Sequence, residues 1–148
     1  MFDSLRALFR KPEPYHTPLP EADAQHALGA LLVRVAKADH VIRFEEFQVI
    51  DRILSQRFDL SMVEASKMRA SCQKLEAEMP DTDEMAQILR DAIGMEDREA
   101  TVRALWQVVY ADGVKHEDED VLLHHLEAFW GIPRARALEL QADAGTMS

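Results

Sequence analysis

From Glu21 to about Ala142, apolar residues recur at spacings of three and four. Nowhere does the chain alternate apolar and polar as a half-buried strand would. That pattern confines it to an all-α fold. Asp23 to Ala38 sets Ala27, Leu28, Leu31, Leu32, Val35 and Ala36 on one face, and Phe44 to Phe58 carries Phe47, Ile50, Ile53 and Leu54. Ser61 is placed to cap a helix from Met62 to Met79. Asp81 opens Glu84 to Ile93 as an Asp-x-x-Glu start, and Gly94 closes it. Asp97 to Ala111 is apolar at Val102, Leu105, Trp106, Val108 and Val109, and Glu117 to Trp130 follows. Pro133 begins a last helix to about Ala142. Trp106 and Trp130 are expected in the core, and Met62, Met68, Met79, Met85 and Met95 read as core filler between the two halves.

Three regions follow. Residues 1–20 hold a short amphipathic helix and a linker, residues 21–142 form one helical domain, and residues 143–148 are a frayed tail. In residues 1–11, Phe2, Leu5, Leu8 and Phe9 share a helical face, with Arg6, Arg10 and Lys11 beside it. Such a helix can lie on a membrane surface, enter a partner's groove or fold back on its own domain. PEPYHTPLP is extended, because each proline restricts itself and the residue before it.

The chain has 27 acids against 17 Lys and Arg, a formal net charge of −10. Neutralising phosphates needs a basic face, so nucleic acid is not an expected partner. Cations or the basic surface of another protein suit this charge better, and an acidic solubilising surface explains it as well. Cys72 stands alone, which excludes an intrachain disulfide and a paired-cysteine zinc site. No apolar run approaches the roughly 20 residues of a membrane span. MFDSLRALFRK is broken by Asp3 and Arg6 and does not read as a secretory signal, so a cytoplasmic location is expected. The oligomeric state is not legible.

YADGVKHEDEDVLLHHL, residues 110–126, has a counterpart in AKADHVIRFEEFQVI, residues 36–50. At an offset of 73 residues, Ala38-Asp39 meets Ala111-Asp112, Val41 meets Val114, Glu46 meets Glu119 and Ile50 meets Leu123. After a one-residue slip, FDLS (Phe58 to Ser61) meets WGIP (Trp130 to Pro133). The unit reads as helix, Ala-Asp turn, helix, aromatic-x-aliphatic stop and next helix, so the domain is read as two related helical hairpins. A-D-G-x-[apolar]-x-x-x-E, occurring twice in a small acidic helical chain, resembles the TerB family of tellurite-resistance-associated domains. Each copy departs once: His40 stands in place of the Gly, and Lys115 in place of the aliphatic residue. The resemblance implies a bundle of about seven or eight helices with an acidic metal-binding site. It also implies an accessory role in a bacterial stress response, with no firmly attached enzymatic activity.

Asp39 and Asp112 sit at or beyond the last turn of a helix, where the dipole disfavours an anion by roughly 0.3–1 kcal/mol. Each carboxylate could cap the start of the following helix. Alternatively, Asp39 with Glu46, and Asp112 with Glu119, could hold a hard divalent cation: Mg²⁺, Ca²⁺ or Mn²⁺. The spacing is not that of an EF-hand loop. Glu117, Asp118 and Asp120 have a simpler explanation as acids favoured at a helix start. His116, Asp120 and His124 share a face at four-residue spacing and could hold zinc or nickel. They have no counterpart in the other copy, however, and a solvent-facing pair with Asp120 supporting a charged His124 is the preferred reading. No nucleophile setting or phosphate loop is present in the sequence, so the chain is not expected to be an enzyme. The rival to a metal-binding protein is a pure protein-interaction module whose acids only cap helices and which recruits a basic or membrane-associated partner.

Overall fold

A computed structural model describes residues 23–38, 43–111 and 117–146. Over these the chain forms α1 (Ala24–Ala36), α2 (Phe44–Phe58), α3 (Met62–Glu78), α4 (Thr82–Ala92), α5 (Met95–Val109), α6 (Glu117–Phe129) and α7 (Arg134–Thr146). No strand occurs among the described residues. The all-α bundle expected from the apolar spacing is therefore what the chain forms. Residues 1–20, with the candidate membrane-surface helix, lie outside the described residues, and among the described ones no helix is long and apolar enough to cross a membrane.

The centre is α1. Its residues from Ala27 through Val33 are all buried, as are Val35 and Ala36, the mark of a helix surrounded on every side. It packs chiefly against α3, α4 and α5, while α2 and α6 each reach both α1 and α5. The α1–α3 contact is close because of Gly29: a Cβ there would fall 2.2 Å from Cys72 Sγ. Cys72 is fully buried, and burial pushes its thiol pKa up to about 12, which makes it inert packing. At the far end of α1, Arg34 ties down the end of α3. It donates to Glu76 Oε1 (3.1 Å), to the carbonyls of Glu76 (2.8 Å), Pro80 (3.2 Å) and Met79, and to Thr82 Oγ1 (3.1 Å). One guanidinium thus satisfies carbonyls that a helix end leaves without partners.

Local signals placed most boundaries. Ser61 Oγ accepts the Glu64 N–H at 3.1 Å while Glu64 Oε1 accepts the Ser61 N–H at 3.1 Å, a reciprocal cap. Three expectations need correction. Gly94 is the extended N-cap of α5, not the closing residue of α4, which ends at Ala92; α5 consequently starts at Met95. Asp81 accepts from Asp83 N–H and starts α4 at Thr82, earlier than expected. The last helix runs on to Thr146 because Ala144 is buried, so tertiary packing holds what the composition suggested would fray. The tryptophans and Met85 are fully buried, as expected, whereas Met62 and Met95 are exposed surface residues at helix starts.

Candidate functional site

Glu46 and Glu119 are each the third residue of a helix, α2 and α6 respectively. That position suits an acid, since the first turn presents unsatisfied N–H groups and the positive end of the dipole. Their neighbours show how an ordinary first-turn acid behaves: Glu45, Glu117 and Asp118 are exposed. Glu46 and Glu119 are not, at 2% and 1% exposure. The cause is register. Glu46 lies four residues before Ile50, and Glu119 four before Leu123, so both acids continue the apolar stripe into the core.

Glu46 Oε1 accepts the Arg43 backbone N–H at 3.3 Å and lies 3.4 Å from Arg43 Nη1. This closes the helix start locally, as in half of a capping box. The helices bearing the two glutamates share two neighbours, since both α2 and α6 pack on α1 and α5. Asp39 and Asp112, the other half of each sequence pair, lie outside the described residues, as do His40 and His116. Among the described residues no group of three or more His, Cys, Asp or Glu side chains is arranged to hold a metal ion. The described residues therefore supply two buried carboxylates at matched positions and not a complete ligand shell.

Farther along α6, Asp120 Oδ1 lies 3.7 Å from His124 Nε2, so the expected Asp120–His124 pair is formed. It is partly covered rather than solvent-facing, and the His124 ring lies 6.1 Å from the buried Trp106 ring. The third buried acid of the region, Glu127, was not anticipated from sequence. Its Oε2 accepts the Trp106 Nε1–H at 3.2 Å, and the side chain is 3% exposed. Burial raises the Glu127 pKa; the Trp106 N–H and the charges of His124 and Arg134 oppose that rise. The sequence did carry a hint, because Glu127 falls between Leu123 and Trp130 on the same stripe that buries Glu119. Asp51, held by Arg69 Nε at 2.6 Å and Ser66 Oγ at 2.9 Å, and Glu76, bound by Arg34 and Lys37, are further buried acids with structural partners.

The family model described as tellurite resistance protein TerB matches residues 25–142, most of the chain. No curated protein and no solved structure matches.

Proposed function

Since this chain belongs to the TerB family of tellurite resistance proteins, we propose that it is a non-enzymatic accessory protein that binds a divalent cation through Asp39, Glu46, Asp112 and Glu119. The observation that carries this reading is the burial of Glu46 and Glu119 at the same helical position, while Glu45, Glu117 and Asp118 in the same first turns face solvent. A helix cap needs only an exposed acid; a carboxylate drawn into the apolar stripe is held there by charged or hydrogen-bonding partners. Arg43 already faces Glu46 at 3.4 Å, and a divalent cation would add to such partners. The donor set is all oxygen, which suits Mg²⁺, Ca²⁺ or Mn²⁺. The repeat on which the pairing leans is supported by the two helix stops. Asp59 and Gly131, aligned in sequence, both have positive φ, at 53° and 74°. A cytoplasmic, stress-related setting with a protein partner completes the proposal, in keeping with the acidic charge of −10.

A thermal-shift titration of chelator-treated protein with Mg²⁺, Ca²⁺, Mn²⁺ and Zn²⁺ tests this reading. Binding to the folded state alone stabilises by about 2.7 kcal/mol at a hundredfold excess over Kd. The expected result is a saturable rise in Tm for a hard cation that disappears in Glu46→Gln/Glu119→Gln. No rise with any ion would leave the carboxylates as helix caps and turn attention to a partner surface.

A further inference from the structure

A cleft of about 510 Å³ opens between α6 and α7, far along α6 from Glu119 and not part of the cation site proposed above. Its walls are Ala128, Ile132 and Ala137, with His124, Glu127 and Arg134 as the polar groups. Glu127 is 3% exposed, yet its two oxygens are treated differently. Oε2 holds the Trp106 indole N–H, whereas Oε1 is buried with no hydrogen bond. The cation nearest Oε1 in the cleft is Arg134 Nη1 at 3.9 Å, beyond hydrogen-bond distance, on a side chain that is 59% exposed. A loose pair of that kind is weak and easily displaced.

We propose that this cleft binds a small primary alkylamine as its ammonium ion. The charged head would replace the distant Arg134 contact with a direct charge-assisted hydrogen bond to Glu127 Oε1. The alkyl body lies along Ala128, Ile132 and Ala137, surface that a polar ligand would leave unused. His124 lines the cleft on the same helix as Glu127. The net charge of −10 draws cations toward the molecule and repels anions. An anion in the cleft would gain Arg134 but would sit against the Glu127 carboxylate.

The test is an ¹⁵N NMR titration of the full chain with hexylammonium, 1-hexanol, hexanoate and Nα-acetyl-lysine amide. Hexylammonium is expected to shift the amides of Ala128, Ile132 and Ala137 saturably, at roughly millimolar affinity for so small a ligand. Glu127→Gln should weaken it at least tenfold with the remaining spectrum unchanged, and Arg134→Ala, which removes the competing cation, should tighten it a few-fold. Equal binding of 1-hexanol would show an apolar void without head-group recognition and overturn the proposal. Saturable binding of hexanoate in place of the amine would overturn it in favour of an anion site on Arg134 and His124. Acetyl-lysine amide binding as tightly as hexylammonium would overturn the small-amine assignment in favour of a partner protein's lysine. Absence of any saturable shift would remove the site altogether.

Discussion

The pair α2–α3 and the pair α6–α7 share a frame and fill it differently. Each first helix begins with a buried glutamate at its third residue, Glu46 or Glu119, and each ends on a left-handed residue, Asp59 or Gly131. Each stop is closed by the same backbone bond: Leu60 N–H to the Ser55 carbonyl, and Ile132 N–H to the Glu127 carbonyl, both 3.0 Å. At the residue supplying that carbonyl the two part company. Ser55 donates its hydroxyl to the Leu60 carbonyl at 2.6 Å and is satisfied within its own turn. Glu127 instead reaches across to Trp106 on α5. Between α2 and α3, Asp51, Ser66 and Arg69 form a clamp, with the Arg69 guanidinium also 4.5 Å from the Phe47 ring centroid. Helix α7 lies chiefly on α5, and toward α6 its Arg134 stands 3.9 Å from Glu127 Oε1 beside the cleft. One hairpin is clamped through Asp51 and Arg69; the other places the buried Glu127 carboxylate beside a cleft.

Substitutions can break this comparison in order of size. Trp130 is fully buried and its Nε1–H bonds the Ala86 carbonyl at 2.9 Å. Trp130→Ala should therefore cost about 3–5 kcal/mol in urea denaturation. Its counterpart Phe58 only partly enters the core, and Phe58→Ala should cost roughly half as much. Arg69→Ala strips the clamp from Asp51 and should cost about 2–3 kcal/mol, whereas Arg134→Ala, at an exposed and loose pair, should stay within about 0.5 kcal/mol. If the two arginine variants proved equal in stability, the contrast between a clamped and an open hairpin would fail.

Smaller effects sharpen it. Nothing lies within 4 Å of a Cβ added at Gly131, so Gly131→Ala isolates the left-handed backbone penalty, about 1 kcal/mol. Asp59→Gly should gain up to about 1 kcal/mol by the same physics, since Asp59 carries that penalty already. Glu127 gives a pH signature. Its pKa is raised on folding, so its stabilising influence is greatest below the unfolded value and is lost as pH rises through the folded one. Glu127→Gln should accordingly raise Tm by about a degree or two at pH 7, with the gain shrinking toward zero near pH 4. A gain that grew on acidification would reverse the sign of this account.

Most of the fold was legible because it rests on local rules. The stripe Phe47, Ile50, Ile53, Leu54 and the box at Ser61 each speak through a few neighbouring residues, and α2 spans Phe44–Phe58 as read. Gly94 was misassigned because glycine suits both a helix end and an N-cap, and only the chain path decides between them. Of the candidate site, the sequence placed Glu46 and Glu119 in first turns, and register with Ile50 and Leu123 carried their burial. What it could not carry is any contact across helices. The Arg34 tether to Glu76, the Arg69 clamp on Asp51 and the indole bond that orients Glu127 all join residues more than a dozen positions apart. Such contacts depend on packing, which no periodicity encodes.

The central claim is that the buried glutamates serve a cation, and calorimetric titration of the full chain with Mn²⁺ tests it most directly. The account predicts saturable heat in the native protein and its loss, or at least a tenfold weaker affinity, in Glu46→Gln and in Glu119→Gln, with Glu45→Gln, at an exposed neighbour, unchanged. Binding that survives both buried substitutions, or no binding in the native protein, would contradict it.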